Sequence, residues 1–209
     1  MVDYKKIQEY FLDCFREFGA KPEGVNWNSK SAQEKRFDQI SKVIDYSNPF
    51  SIIDYGCGFG SLFDYLKQKG QCFSYYGYDI VSEMIEKAKE LYLDEINCTF
   101  INEERSLPVC DYVIESGIFN AKQSVNDAEW TEYVVDSLKK MNNLAKKGMA
   151  CNFLTKYSDP EFMRPHLYYA DPLFLFDYCK QHFSRNVALL HDYELYDFTI
   201  IIRKNENQK

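Results

Sequence analysis

The sequence predicts an α/β fold in which a single doubly wound sheet carries helices on both faces. Short apolar runs of strand length alternate with stretches whose apolar residues recur at helical spacing, which is typical of repeated β–α units. The first strong strand also runs directly into a glycine-rich turn that opens a helix. The 209 residues, of which 45% are hydrophobic, can bury one sizeable core. We therefore expect one domain over residues 1–209, with a helical extension over 1–36 and the sheet-forming part over 37–209.

Each predicted element has its own local signal. The first helix ends at Gly19, and the second is expected to begin at a capping box, Ser31–Glu34. A later helix has Ser82 as its N-cap, a long helix is closed by Gly148, and the last helix begins at Asp171, which a proline follows. The strands are expected at residues 50–53, 72–78, 98–101, 111–114, 149–154, 187–190 and 198–202, the last two forming a terminal hairpin.

The glycine-rich turn reads Asp54-Tyr-Gly-Cys-Gly-Phe-Gly60. Its three glycines let the backbone bend sharply and approach a ligand without a Cβ in the way, and the small side chain of Cys57 suits the same loop. Asp54 falls where the strand ends, at the crevice in which open α/β sheets bind ligands. Dinucleotide enzymes use G-x-G-x-x-G, whereas this turn is G-x-G-x-G with an acid two residues ahead and serine at position 61. The spacing counts against an NAD-dependent oxidoreductase.

A second acidic residue, Asp79, follows the second predicted strand. A carboxylate at this point can accept hydrogen bonds from both ribose hydroxyls of an adenosine. With Ser82 as the N-cap of the next helix, Asp79 is left for the ligand. NAD enzymes also place an acid here, so Asp79 supports an adenosine ligand rather than one particular reaction.

The D-x-G-x-G-x-G turn after a strand, together with the acid after the next strand, resembles the class I S-adenosylmethionine-dependent methyltransferases. The resemblance extends over residues 37–203 in the order of elements and is most specific at 54–60. It implies S-adenosylmethionine as the cofactor and a Rossmann-like sheet of seven strands in the order 3-2-1-4-5-7-6, with strand 7 antiparallel. The cofactor-binding residues that it implies are Asp54, Gly56, Cys57, Gly58, Gly60, Asp79, Ile80, Asn102, Glu103 and Glu115. Among them, Ile80 would flank the adenine, and Asn102 and Glu103 are both candidates for contact with its amino group, with a solvated acidic loop as the alternative.

Candidates for the substrate side come mainly from the segments after the fourth and fifth strands. Glu115 ends the fourth strand, where the family builds its catalytic motif, and could act as a base or as a clamp for a cationic substrate. His166 lies in the long loop after the fifth strand and is the second catalytic candidate, and Tyr168 and Tyr169 could line the same pocket. Trp27 could fold over the cofactor crevice as part of an N-terminal lid. For His166 and Trp27, structural packing is an equal alternative.

Several substrate classes lack their family motifs in this sequence. The Asn/Asp-Pro-Pro-Tyr/Phe of adenine and glutamine amino methylation, the Pro-Cys of cytosine methylation and the paired glutamates of arginine methylation are all missing. The Asp-Asn pair of magnesium-dependent catechol-type sites is missing as well. We therefore expect in-line methyl transfer to a nitrogen or oxygen of a small molecule. A non-catalytic module that holds S-adenosylmethionine or S-adenosylhomocysteine is the main alternative, and an oxidoreductase is a weaker one.

Composition sets the remaining expectations. The net charge of −7 argues against a nucleic-acid partner. Seven scattered cysteines without a C-x-x-C indicate reduced thiols in a cytoplasm rather than disulfides or a metal site. No apolar run approaches the roughly 18 residues that span a membrane, so no membrane partner is expected. A homodimer is one alternative for the oligomeric state.

Overall fold

The structure is a computed structural model that describes residues 4–21, 24 and 29–204. Trp27 lies outside the described residues, so its predicted contact with the substrate and its part in a lid stay predictions. The strands are β1 (Phe50–Tyr55), β2 (Phe73–Tyr78), β3 (Cys98–Ile101), β4 (Cys110–Ser116), β5 (Ala145–Leu154), β6 (Asn186–Leu190) and β7 (Asp197–Arg203). The α-helices are α1 (Tyr4–Phe18), α2 (Lys30–Ile40), α3 (Ser61–Lys67), α4 (Ser82–Leu91), α5 (Asp127–Leu144) and α6 (Pro172–His182).

The seven strands form one sheet in the order β3-β2-β1-β4-β5-β7-β6. Strand β1 pairs in parallel with both β2 and β4, whereas β7 is antiparallel to β5 and to β6. The predicted strand order and the predicted antiparallel strand are therefore confirmed. The chain order reverses between β1 and β4, and such a switch point opens a crevice at the carboxyl ends of the strands.

Helices cover both faces of the sheet and enclose two hydrophobic clusters. On one face, α2, α3 and α4 contribute buried side chains, among them Phe37, Leu62 and Ile85. On the other face, α5 and α6 pack over the sheet. The connection from β3 to β4 holds only the short 3-10 turn Glu104–Ser106, and Ile7 of α1 packs into the cluster on that face. One side chain of the N-terminal helix is thus buried in the core.

The predicted start of α2 and the predicted end of α5 are wrong, and the structure supplies the physical reason for each. Helix α2 is N-capped by Ser29, whose hydroxyl accepts a hydrogen bond from the Ala32 amide at 3.2 Å, so the expected capping box at Ser31 does not begin the helix. Gly148 does not close α5, because α5 passes into β5 at Ala145. A Cβ on Gly148 would lie 2.6 Å from the carbonyl oxygen of Ile202. The glycine therefore allows close packing within the sheet.

A buried ion pair fixes α2 to the sheet. The guanidinium of Arg36 donates to both carboxylate oxygens of Asp197 at 3.1 and 2.5 Å, and the two side chains are only 9% and 0% exposed. Asn152 on β5 also donates to Asp197, at 3.3 Å. A bidentate pair of this kind holds both partners in a defined orientation. Helix α2 consequently has a fixed position beside the carboxyl ends of the strands.

None of the helices in the described part of the chain combines the length and the apolar character needed to cross a membrane.

Candidate functional site

A cavity of about 390 Å³ opens at the carboxyl ends of β1, β2 and β4. Its floor is the glycine-rich turn, and its walls are formed by α1, α2 and α5 together with the segments after β2, β3 and β4. The volume lies within the roughly 300–1,000 Å³ of typical small-molecule sites. The cavity therefore occupies the switch point at which a doubly wound sheet is expected to bind its ligand.

Glycine is required in the turn for two separate reasons. Gly56 has φ +91° and Gly60 has φ +92°, a left-handed conformation that other residues adopt only with strain. A Cβ on Gly56 would also lie 2.1 Å from Cγ2 of Ile118 in the segment after β4. The amides of Gly56 and Cys57 both donate to the carbonyl oxygen of Tyr78, at 2.7 and 2.8 Å. The turn is thus folded onto the end of β2 and leaves its upper surface to the cavity.

Asp54 lines the cavity with a carboxylate that is almost completely buried. The residue is 4% exposed, and the Tyr75 hydroxyl donates to its Oδ2 at 2.6 Å. Burial raises the pKa of Asp54 to about 7, although the hydrogen bond from Tyr75 works in the opposite direction. The negative charge of Asp79 adds to the increase. A cation placed in the cavity would relieve this unfavourable burial of charge.

Asp79 lines the same cavity from the end of β2. Its Oδ2 accepts a hydrogen bond from the Gly58 amide at 2.9 Å, and its Oδ1 accepts one from the Val81 amide at 2.8 Å. Burial raises the pKa of Asp79, and these backbone hydrogen bonds limit the increase. Each carboxylate oxygen has a second lone pair, so the side chain retains capacity for ligand hydroxyls. The predicted N-cap at Ser82 is wrong, because α4 has no side-chain cap and Asp79 itself accepts from Val81.

The predicted contacts to an adenine separate into two groups. Ile80 lines the cavity, whereas Asn102 and Glu103 do not. The amide of Asn102 donates instead to the carbonyl of Asp79 at 3.0 Å, and Glu103 pairs with a neighbouring arginine on the surface. The next residue, Glu104, does line the cavity.

Glu104 belongs to a polar network on the far wall of the cavity. Its carboxylate accepts hydrogen bonds from the Tyr55 hydroxyl and, at 2.9 Å, from the Lys140 ammonium. Tyr78, Tyr133 and Ser137 line the same wall. In the sequence, Tyr55 and Tyr78 stand out only because each is next to one of the two acids. Neighbouring side chains along a strand point to opposite faces of the sheet. The cavity-lining residues of α5 belong to no sequence motif that would mark them as part of the site.

Glu115 is fully buried and does not line the cavity. Its Oε1 accepts a hydrogen bond from the Ile118 amide at 2.7 Å, and its Oε2 has no hydrogen-bond partner among the described residues. Burial raises the pKa of Glu115 well above its usual range, while backbone amides of the turn after β4 oppose the increase. The residues of that turn, Ser116, Gly117 and Ile118, do line the cavity. The carboxylate therefore holds a segment of the cavity wall.

The other predicted substrate-side residues within the described chain lie away from the cavity lining. His166 is exposed, and its carbonyl accepts from the Gln123 amide at 2.9 Å. The hydroxyl of Tyr168 lies 2.7 Å from that of Thr131, and the hydroxyl of Tyr169 accepts from the Arg164 amide at 2.8 Å. These contacts tie the loop after β5 to its surroundings. Gly60 likewise shapes the glycine-rich turn without lining the cavity.

No cluster of three or more histidine, cysteine, aspartate or glutamate side chains suited to a metal ion is found among residues 4–21, 24 and 29–204. The polar side chains that line the cavity include the carboxylates of Asp54, Asp79 and Glu104, several hydroxyls, the amide of Gln33 and the ammonium of Lys140. Such a donor set suits an organic ligand with hydroxyls and a positive charge.

Fold and site together define an α/β domain that presents a glycine-rich turn and two buried acids to one cavity. Comparison with known proteins identifies the family to which such a domain belongs. A family model described as "Methyltransferase domain" matches residues 52–148. The Mycobacterium tuberculosis (strain ATCC 25618 / H37Rv) protein named "Putative methyltransferase Rv1506c" is 44% identical over 163 residues, which cover 78% of this chain and 98% of that protein. The chain belongs to the class I S-adenosylmethionine-dependent methyltransferases, and S-adenosylmethionine is its cofactor.

Solved structures with the same fold cover nearly the whole chain. Magnesium protoporphyrin IX methyltransferase from Synechocystis PCC 6803, with bound S-adenosylhomocysteine, aligns with 97% of this chain and 100% of its own at a TM-score of 0.69 and 18% identity. The 1,6-didemethyltoxoflavin-N1-methyltransferase of Burkholderia thailandensis aligns with 97% of this chain and 89% of its own at a TM-score of 0.67 and 13% identity. At these identities the likeness shows the fold.

Proposed function

We propose that this methyltransferase acts on a small molecule and methylates a nitrogen or an oxygen atom. The observation that carries the proposal is the cavity at the switch point, where Asp54, Asp79 and the glycine-rich turn meet beneath α1 and α2. Two solved structures of the same fold are enzymes whose names specify magnesium protoporphyrin IX and 1,6-didemethyltoxoflavin, both small molecules. The net charge of −7 also disfavours a polyanionic substrate.

The residues present fit S-adenosylmethionine, which supplies a methyl group bonded to a positively charged sulfur. Asp79 accepts from the ribose hydroxyls with its remaining lone pairs. Asp54 lies where a positive charge of the ligand stabilises its buried carboxylate.

Ile80 packs against the adenine, and Glu104 takes the polar contact that the sequence assigned to Asn102 or Glu103. Gly56, Cys57 and Gly58 provide the close backbone approach.

Positioning rather than proton transfer is the main contribution that we assign to the protein. Ser116, Phe37 and Tyr133 line the cavity on different elements and can orient an acceptor toward the methyl group. Alignment of nucleophile, methyl and sulfur lowers the barrier without a dedicated base. The catalytic roles suggested for Glu115 and His166 stay predictions, and so do the substrate contacts suggested for Tyr168 and Tyr169.

Binding of the cofactor is the first experimental test. Calorimetric titration with S-adenosylmethionine, S-adenosylhomocysteine and NAD should give micromolar binding of the two sulfur ligands only. Asp79→Ala should abolish that binding, and Asp94→Ala, at an exposed acid away from the cavity lining, should leave it unchanged. Loss of binding in both variants would contradict the assigned role of Asp79.

Acceptor-dependent formation of S-adenosylhomocysteine is the second test. A panel of small amines, hydroxyl compounds and heterocycles should contain acceptors, whereas protein and nucleic-acid mixtures should give only the background rate. A rate above background with nucleic acid or protein alone would overturn the small-molecule assignment. Tight cofactor binding without turnover on any class of acceptor would favour the non-catalytic module instead.

A further inference from the structure

Gln33 of α2 is a buried polar residue in the wall of the cofactor cavity. It is 6% exposed, and within the described chain no hydrogen bond to its side-chain amide is found. Because Gln33 lines the cavity, its amide is available to a ligand, and a hydrogen bond from it to a charged group would strengthen binding. Nothing in the sequence motif 54–60 points to this residue, which precedes Asp54 by 21 residues.

The position of Gln33 is rigid because α2 is anchored. Arg36, one helical turn further along, is held by Asp197 through two hydrogen bonds and also donates to the carbonyl of Ala32 at 3.0 Å. Phe37, at i+4 from Gln33, lines the same cavity, so one stripe of α2 faces the ligand space. The amide of Gln33 is therefore presented by a fixed element and not by a loop.

Gln33 also lies on a definite side of the cavity. Helix α2 packs against β4, β5 and β7, which are on the opposite side of β1 from β2. The Asp54 side chain faces the same sheet surface as α2, since it bonds to Tyr75 in the core cluster that contains Phe37. Asp79 and Ile80 follow β2. A ligand whose adenosine is bound at β2 and whose other end crosses β1 would meet Asp54 and Gln33 there.

The other end of S-adenosylmethionine is an amino acid with one ammonium and one carboxylate group. Asp54 can only accept hydrogen bonds when ionised and suits the ammonium, whereas a primary amide can donate to a carboxylate. On the cofactor placement given under Proposed function, we propose that Gln33 donates its side-chain NH₂ to the cofactor carboxylate. Together, Gln33 and Asp54 select ligands that carry the intact amino acid.

A pair of ligands separates this role from a structural one. S-adenosylhomocysteine contains the amino acid, and 5′-methylthioadenosine lacks it while keeping the adenosine and the sulfur. In calorimetric titrations, Gln33→Leu should weaken S-adenosylhomocysteine binding by about tenfold to a hundredfold, as expected for a lost hydrogen bond to a charged group. Binding of 5′-methylthioadenosine should change less than about twofold. Gln39→Leu makes the same substitution on the same helix outside the cavity and should change neither.

Three other outcomes are distinguishable. An unchanged affinity of Gln33→Leu for S-adenosylhomocysteine overturns the role of Gln33 and leaves the cofactor site intact. An equal loss for both ligands also overturns it, because Gln33 would then only support the shape of the cavity. Failure of the wild-type protein to bind either ligand would overturn the cofactor site itself and the role of Gln33 with it.

Discussion

At the scale of single residues, the cavity is dominated by two acids that the fold buries before any ligand is bound. Asp54 and Asp79 are 4% and 8% exposed, and burial raises the pKa of each. A buried carboxylate without a cationic partner destabilises the folded protein. The site therefore gives up some stability in the free protein and recovers it when a cationic ligand binds.

Replacing Asp54 should make the free protein more stable and ligand binding weaker. The folded-state pKa of about 7 exceeds the ordinary value of 3.8, so the folded protein binds the proton more tightly than the unfolded chain does. Protonation of Asp54 therefore stabilises the folded protein. This stabilisation is fully present below the ordinary pKa and is lost as pH rises through the folded-state pKa of about 7. Asp54→Asn should then raise the unfolding temperature at pH 8 by at least about 2–4 °C, which is roughly 1 kcal/mol for a domain of this size.

The same variant should bind S-adenosylhomocysteine about tenfold or more weakly, measured by calorimetry at pH 8. Asp94→Asn is the control for a change of net charge and should alter neither property. An unfolding temperature that stays equal to that of the wild type at both pH 4 and pH 8 would show that the buried charge carries no cost.

Glu115 gives a prediction about positioning. Glu115→Gln keeps an oxygen that can accept from the Ile118 amide, and we expect it to retain turnover within about threefold. Glu115→Leu leaves a buried amide without an acceptor and should cost about 1–3 kcal/mol of unfolding free energy, measured in urea. If Glu115 were instead the general base suggested by its place in the sequence, the glutamine variant would lose about a hundredfold or more in kcat.

At the scale of elements, the glycine-rich turn and α2 are placed by different kinds of interaction. Steric limits fix the turn, because Gly56 combines a positive φ with the close approach of Ile118. Electrostatics fix α2, through the buried pair of Arg36 and Asp197. The interaction that positions each element can therefore be tested by a separate substitution.

Gly56→Ala should disrupt the turn more than a strained backbone alone would. The new Cβ would meet Cγ2 of Ile118 at 2.1 Å, so the segment after β4 must shift. We expect loss of S-adenosylhomocysteine binding by about tenfold or more, measured by calorimetry. Gly70→Ala is the matched control, because Gly70 also has a positive φ of +71° but has nothing within 4 Å of the added Cβ. Equal effects of the two changes would assign the requirement to backbone strain alone.

Arg36→Met should leave the Asp197 carboxylate buried without its cation. We expect a loss of about 3–5 kcal/mol in the free energy of unfolding, measured by urea denaturation. The double variant Arg36→Met with Asp197→Asn removes the charge and keeps an acceptor for Asn152, so it should recover most of that loss. A double variant as unstable as the single one would mean that the packing of Arg36, rather than its charge, holds α2.

At the scale of the whole molecule, ligand binding and folding are linked, because the cavity is assembled from elements far apart in the chain. S-adenosylhomocysteine at about 100 times its dissociation constant should stabilise the protein by about 2.7 kcal/mol. For a domain of this size that corresponds to an increase of roughly 5–11 °C in the unfolding temperature. Thermal scans over a range of ligand concentrations would measure it, with NAD as the control ligand. No shift at saturating S-adenosylhomocysteine would contradict binding to the folded protein.

Several whole-molecule predictions from the sequence stay predictions. They are the division into an N-terminal extension or lid and a core, the cytoplasmic location, the absence of nucleic-acid binding and the homodimer. Sedimentation equilibrium would measure the oligomeric state directly.

The local sequence by itself determined the alternation of strands and helices and the cofactor turn. Strand–turn–helix geometry follows from spacing over a few residues, so the glycines and the two acids, Asp54 and Asp79, were identifiable without any tertiary contact. Tertiary structure alone decided which distant residues share the cavity. Gln33 and Glu104 reach it only because α2 is anchored to β7 and because the short β3–β4 connection brings Glu104 beside α5. Such contacts depend on packing between elements, which residue spacing along the chain does not encode.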